Sequence, residues 1–292
     1  MALLLAVLAK SGGNSPLGII LLFALGAFLF FMGFRSYRRY RILADTPIMP
    51  IRSLAMGLTH ARGKATGGDP LTSPLTGAPC FYYWVRVEKF KHGKHAGWVP
   101  VSNEMDRRPF YLDDGTAKVL VNALYAEFNV PKTFSYESGP KMGSKRFVEP
   151  SLGVGGPTEQ DLRTYLTGVS DRARAATKPP SIGYQLAVPG ISSGDGLSLD
   201  FGVHHYRFTE DCLLADRDCV VLGTCVENPS PKDDHDHNLI TRGENEKTFL
   251  INSMGEQKAE KGLRKQALIL ILIGSFMIIM AAVFALGNAG LL

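Results

Sequence analysis

Cysteine is scarce in this 292-residue chain, and no two of its four cysteines have CxxC spacing. A disulfide scaffold and a zinc module built on paired cysteines are therefore not indicated. Charged residues make up only 20% of the sequence against 45% hydrophobic residues, which excludes a disordered chain. The phosphate-loop patterns GxxxxGK[ST] and GxGxxG are also absent, so we interpret the glycine-rich stretches as turns.

Acidic residues are absent from residues 1–41, which carry a net charge of +5. Residues 256–292 carry +2, so the middle of the chain, residues 42–255, carries −2 of the total of +5. The excess of basic residues therefore lies at the two ends. A middle region with a net negative charge argues against a groove that tracks a nucleic-acid backbone, so no nucleic-acid partner is expected.

Two uncharged runs, residues 17–34 and 267–287, are long enough to cross a bilayer. We predict a transmembrane helix at each, the second as part of a helix over 255–287. Basic residues flank the runs on one side: Arg35, Arg38, Arg39, Arg41, Lys258, Lys261, Arg264 and Lys265. The positive-inside rule then predicts that both termini lie outside and the middle domain lies in the cytosol, where its cysteines stay reduced.

These flanking basic residues predict a lipid partner, since anionic headgroups attract cations beside a span. They also fit the simpler role of setting the topology alone. The remaining boundaries follow from the runs: residues 1–16 form a short outer tail, 35–56 a basic juxtamembrane linker and 288–292 a second tail.

The sequence pattern of residues 57–254 predicts a β-rich domain with one amphipathic helix. Strands are indicated at 57–66 and 80–90, a hairpin over 109–123, and two strands within 204–228. A helix is predicted over 158–176, where four apolar residues at helical spacing form one stripe: Leu162, Tyr165, Leu166 and Val169. Segments 91–97 and 141–146 are predicted loops, and the polar segment 227–247 is predicted to be mobile.

The predicted fold is thus a membrane-anchored α+β protein, with two transmembrane helices flanking the β-rich domain. A small curled sheet and an OB-like barrel, with the helix packed against it, both fit this pattern.

Several segments also occur in a recognisable order. PLTSPLTGAPCFYYWVRVE at 70–88 precedes PFYLDDGTAKVLV at 109–121, and YRFTEDCLLADRDCVVLGT at 206–224 precedes TFLINSMGEQ at 248–257. In this order they resemble the GIDE family, whose core is the BAM (beside-a-membrane) domain of the mitochondrial membrane-anchored E3 ubiquitin ligase. The matching positions are Ser73, Pro74, Gly77, Pro79, Cys80, Asp114, Gly115, Glu210 and Gly223.

The resemblance implies an E3 ubiquitin transferase, whose RING needs eight Cys or His zinc ligands after the second span. Residues 287–292 contain neither residue type. We therefore expect a RING-less, prokaryotic relative in a bacterial inner membrane, without ligase activity. In the ligase the domain between the spans faces the intermembrane space, whereas the basic flanks here favour the cytosol.

Candidate metal ligands occur in the sequence KDDHDH at 232–237, namely Asp233, His235, Asp236 and His237. Adjacent residues in a loop rarely converge on one ion, so a solvated loop is favoured and no metal is predicted. The cysteines Cys80, Cys212, Cys219 and Cys225 are interpreted as core thiols rather than nucleophiles or ligands.

No catalytic residue, cofactor or small-molecule substrate is predicted from these patterns. We expect a non-enzymatic domain that binds or scaffolds a protein, peptide or lipid partner at the membrane. The alternative is an enzyme, either a transferase of the ligase family or a hydrolase that joins a Ser or Cys to His60, His204 or His205.

Overall fold

The computed structural model describes the following residues: 16–67, 69–93, 96–138, 145–149, 156–177, 205–231, 237–254 and 256–288. The chain divides into two compact units. One comprises residues 1–48 and 255–292, and the other is Met49–Met254. The described residues contain three α-helices: α1 (Pro16–Asp45), α2 (Glu159–Thr177) and α3 (Glu256–Asn288).

Helices α1 and α3 pair within the first unit. Their apolar segments, Leu17–Ile42 and Arg264–Asn288, are long and apolar enough to cross a membrane. Glycines lie where the backbones approach each other. A Cβ on Gly274 would meet the Phe30 amide nitrogen at 2.6 Å, and one on Gly33 would meet the Ile271 nitrogen at 2.9 Å. Small residues therefore permit close packing of two helix backbones.

The second unit is built from strands. In chain order they are β1 (Gly57–Thr66), β2 (Leu71–Thr72), β3 (Pro79–Lys91), β4 (Gly97–Arg107), β5 (Phe110–Asp113), β6 (Lys118–Val121), β7 (Glu127–Asn129), β8 (Lys132–Glu137), β9 (Lys145–Val148), β10 (Tyr206–Leu214), β11 (Asp218–Glu227), β12 (Asn238–Thr241) and β13 (Leu250–Asn252).

Five of these strands close a barrel in the order β1-β5-β6-β12-β11, and β11 returns to pair with β1. Strands β6 and β12 pair in parallel, and the other neighbours in the barrel are antiparallel. Lys64 pairs with both Asp218 and Asp113, so β1 is hydrogen-bonded to β11 on one side and to β5 on the other. The neighbouring Gly63 permits this, because a Cβ there would lie 2.6 Å from the Asp113 carbonyl oxygen.

A second sheet with the order β2-β3-β10-β8-β9 lies beside the barrel, and β4 also pairs with β3. Tyr82 of β3 stacks on Phe128 of β7, with ring centroids 3.7 Å apart. Because β7 is the last strand of the barrel's extended sheet, this stack joins the two sheets.

Helix α2 packs on the second sheet and not on the barrel, which is one of the two arrangements that the sequence left open. Leu162 and Leu166 are fully buried in a core formed with β3, β8 and β10. Thr158 and Asp161 begin the helix with reciprocal hydrogen bonds: Thr158 donates to the Asp161 carboxylate, and the Asp161 amide donates to Thr158 Oγ1. The predicted helix over 158–176 and its apolar stripe are confirmed.

The strand predictions at 57–66 and 80–90 and the hairpin over 109–123 are confirmed. The prediction for 227–247 is wrong in part, because residues 238–241 form the barrel strand β12. The predicted loop over 141–146 is also corrected, since Lys145 and Arg146 open β9.

Candidate functional site

The resemblance residues of the SPLTG segment form a tight loop between β2 and β3. Inside it the Ser73 amide donates to the Ala78 carbonyl oxygen at 3.0 Å, and the Gly77 amide donates to the Ser73 carbonyl oxygen at 3.0 Å. Gly77 has a φ of +68°, a conformation that glycine adopts without strain. The loop therefore folds back on itself before Pro79 starts the next strand.

The carboxylate of Glu210, on β10, fills this loop. Its Oε2 accepts from Ser73 Oγ at 2.6 Å, from the Leu75 amide at 3.0 Å and from the Thr76 amide at 3.4 Å. Its Oε1 accepts from Thr76 Oγ1 at 2.6 Å and from Thr133 Oγ1 of β8 at 3.1 Å. We call Glu210 and its four partners the carboxylate latch. Five hydrogen bonds from neutral donors satisfy a buried acid that would otherwise be costly.

The carboxylate latch is closed to solvent. Glu210 and Thr133 are 0% exposed, and Ser73 is 2% exposed. Ser73 Oγ is therefore committed to an internal acceptor and is out of reach of a substrate. The latch fixes the loop to β8 and β10, and its chemistry is structural.

Two thiols border the same region. Cys80 and Cys212 are free and buried, and the hydrogen bond between their side chains, together with burial, raises the pKa of Cys212. In the barrel, burial raises the pKa of Cys219 to about 12 and also raises that of Cys225. Because the thiolate is the reactive form, the raised pKa values make Cys212, Cys219 and Cys225 poor nucleophiles.

The second resemblance motif, Asp114-Gly115, is the turn between β5 and β6. Asp114 accepts from the Ile51 amide at 2.7 Å and from the Thr116 and Ala117 amides. Burial acts to raise its pKa, but these hydrogen bonds outweigh it and lower the pKa to about 2. Gly115 supplies a φ of +81° in the turn. Asp114 thus holds the start of the domain, at Ile51, to the barrel.

Gly223, the last resemblance position, lies on β11. A Cβ there would meet the Phe249 ring at 2.8 Å and Ile240 Cγ2 at 2.9 Å. Only glycine leaves room for these two core side chains, so this position is also explained by packing.

An open cavity of about 510 Å³ lies beside the Asp114 turn. Its lining mixes cations and acids: Arg62, Gly63, Lys64, Asp113, Asp114, Gly115 and Asp218. The lining contains neither a histidine nor a Ser or Cys, so the Ser or Cys joined to a histidine that the hydrolase alternative requires is not in this cavity.

The structure separates the remaining sequence candidates. His237 lies just before β12, and its carbonyl oxygen accepts from the Asn228 amide at 2.8 Å. Asp233, His235 and Asp236 lie outside the described residues, as does His204. Within the described residues no group of three or more His, Cys, Asp or Glu side chains is placed to hold a metal ion. His60 is fully buried on β1, and His205 lies against the ring of His92 at 5.2 Å.

The flanking basic residues lie on the two long helices. Arg35, Arg38, Arg41, Arg264 and Lys265 are exposed on α1 and α3. Arg39, Lys258 and Lys261 belong to the same helices, and their side chains are outside the described part.

Sequence reasoning missed a polar junction centred on Glu104 of β4. Its carboxylate accepts from Tyr165 Oη at 2.8 Å and from Arg172 at 3.3 Å, both on α2. Burial, together with this hydrogen bond, raises the pKa of Tyr165. These contacts link α2 to β4 at the edge of the second sheet. The sequence offered no signal for them, because β4 itself was not predicted.

Comparison with known proteins adds no relative: no family model, no curated protein and no solved structure matches the chain.

Proposed function

We propose that this chain is a two-span integral membrane protein that presents a β-rich binding or scaffold domain at the cytosolic membrane surface and has no catalytic residues of its own. The observation that carries the proposal is the exposure of large apolar side chains on the paired helices.

In each candidate span only 17% of the most apolar window is buried, although the helices pack on each other. Leu17, Ile20 and Phe31 on α1, and Leu272 and Phe276 on α3, are each more than 60% exposed. A soluble protein rarely leaves such a continuous apolar surface in water. A bilayer removes this surface from water, and away from the helix ends the backbone groups of a helix are already satisfied internally.

The orientation is proposed from charge. Eight basic residues flank the spans on the side of the β-rich domain, against Lys10 on the other side. The positive-inside rule places such flanks in the cytosol.

A binding role is favoured over catalysis because the acids of the resemblance motifs are fully used in structure. Glu210 holds the SPLTG loop, and Asp114 holds the Ile51 backbone. The domain would then act through its surfaces, and anchoring by two helices raises the local concentration of any partner in the membrane.

We also propose that the barrel is OB-like. Numbered within the barrel alone, β1, β5, β6, β11 and β12 are strands one to five, and they neighbour each other in the order 1-2-3-5-4-1, with strands three and five parallel. OB folds are five-stranded Greek-key barrels that bind ligands with one face and the adjoining loops. The second sheet is built from the segments inserted after strands one and three.

Crosslinking in native membranes tests the proposal. Full-length protein carrying a photoreactive residue at an exposed domain position, such as Met105, should capture a specific membrane-associated partner after detergent solubilisation. The same label on the buried Phe134 is the control and should capture none. Ubiquitin transfer by the purified chain in a reconstituted assay would overturn the non-enzymatic assignment in favour of the ligase alternative.

A further inference from the structure

Both long helices continue well past their apolar runs. Helix α1 extends from the end of its run at Phe34 to Asp45, and α3 starts at Glu256, eleven residues before its run begins at Ala267. By sequence, these two extensions contain eight basic and three acidic residues. They are therefore charged helical segments adjoining each span.

The glycine contacts fix how the two helices align. Gly26 faces Ile278, Phe30 faces Gly274, and Gly33 faces Ile271, so each step forward on α1 matches one step back on α3. Continuing this register beyond Gly33 places Arg38 level with Gln266 and Tyr40 level with Arg264. Cations from both helices thus lie at similar heights along the paired helices α1 and α3.

That height can be compared with the thickness of a bilayer. At 1.5 Å per residue, Arg38 lies about 6 Å and Arg41 about 10 Å beyond Phe34. The polar headgroup layer adds about 5–7 Å on each side of the hydrocarbon core. If Phe34 marks the end of the hydrocarbon core, Arg35 and Arg38 lie at the depth of the lipid phosphates, and Arg41 lies just beyond the headgroup layer.

We propose that these cations form one basic collar that binds the phosphates of anionic phospholipid headgroups, with both helices contributing to the same site. The basic collar comprises Arg35, Arg38, Arg41, Arg264 and Lys265, all exposed. It rests on the proposed function, because it requires both helices to span the bilayer.

The surroundings of the basic collar fit this ligand. Asp45 is the acid with a described side chain in the two extensions, and it pairs with Arg41 at 3.0 Å. The rings of Tyr37 and Tyr40 lie 5.8 Å apart at the same level, and tyrosines are enriched at membrane interfaces. A soluble polyanion is disfavoured, because it would have to enter the headgroup layer to reach Arg35 and Arg38.

Lipid selectivity of the reconstituted full-length protein tests the basic collar. Vesicles of phosphatidylcholine and phosphatidylglycerol carry a spin-labelled lipid of either type, and electron paramagnetic resonance gives the fraction immobilised by the protein. We expect Arg38→Gln/Lys265→Gln to lower the preference for phosphatidylglycerol at least about fivefold. The control Lys91→Gln/Lys145→Gln removes the same charge from the β-rich domain and should leave the preference unchanged.

Two results separate the possible failures. If alkaline carbonate extracts the wild-type protein from these vesicles, the membrane assignment and the basic collar are both wrong. If the protein resists extraction but the double variant keeps the wild-type preference, the basic collar alone is wrong. The single variants Arg38→Gln and Lys265→Gln repeat the measurement if the double variant does not insert, and each should lower the preference.

Discussion

At the scale of single residues, three positions that carry the family resemblance have a structural role. Glu210, on β10, accepts hydrogen bonds from the SPLTG loop that precedes the neighbouring strand β3. Asp114 accepts a hydrogen bond from the Ile51 amide, and Gly223 leaves room for Phe249. The sequence singled out these residues but did not reveal their tasks, because each partner lies far away in the chain. Ser73 and Glu210, for example, are 137 positions apart.

The carboxylate latch predicts a large stability effect at Glu210. In Glu210→Gln the amide nitrogen replaces one acceptor and faces hydroxyl donors, so the free energy of unfolding should fall by about 2–3 kcal/mol. Chemical denaturation of the full chain in detergent measures this change. Glu88→Gln, at a partly exposed glutamate on β3 that pairs with Arg207, is the matched control and should cost under about 1 kcal/mol. Equal losses in the two variants would contradict the latch.

Asp114 predicts a dependence of stability on acid pH. Its pKa is about 2 in the folded chain against 3.8 ordinarily, so the folded state favours the ionised form. The resulting stabilisation is present above about pH 4 and is lost as the pH falls from about 4 towards about 2. Asp114→Asn should be less stable than wild type at neutral pH, and the difference should shrink over that window. A difference that stays constant with pH would argue against an ionised Asp114.

At the scale of elements, local patterns predicted what local contacts determine. Helix α2 carries a stripe at helical spacing and a capping threonine, and both are present in the structure. Strand β12 was missed because its four residues follow a charged segment and acquire strand structure only by pairing with β6 and β11. The sequence left open whether α2 packs on a sheet or on a barrel, because apolar periodicity identifies the buried face and not the surface that covers it.

The close packing of α1 against α3 predicts the effect of a substitution at Gly274. In Gly274→Leu the side chain would enter a gap in which even a Cβ meets Phe30 at 2.6 Å, so the helices must separate. Cysteines placed at Tyr40 and Arg264, which the glycine register sets level, should crosslink in the wild-type background and lose most of that yield in the variant. Ile273→Leu, at a 47% exposed position on the same helix, should retain it. Unchanged crosslinking in Gly274→Leu would contradict the close approach at this glycine.

At the scale of the whole molecule, the charge distribution and the exposed apolar helices support the same proposal of a membrane anchor. The net charge of +5 divides into +7 at the two ends and −2 between them. Within the described residues, the basic segments next to the apolar runs are helical, and the β-rich unit contains a closed barrel. Both features fit the proposed membrane-anchored domain, for which we propose a cytosolic orientation and a binding partner at the membrane surface.

The most direct test is a topology map with reporter fusions in cells. One fusion joins a reporter that is active only outside the cytosol after Leu292, and a second inserts it into the β-rich domain at the exposed turn after Gly115. We expect activity from the first fusion and none from the second, and the opposite pattern from a reporter active only in the cytosol. A β-rich domain that reports from outside the cytosol, or both fusions reporting from the same side, would contradict the proposed topology.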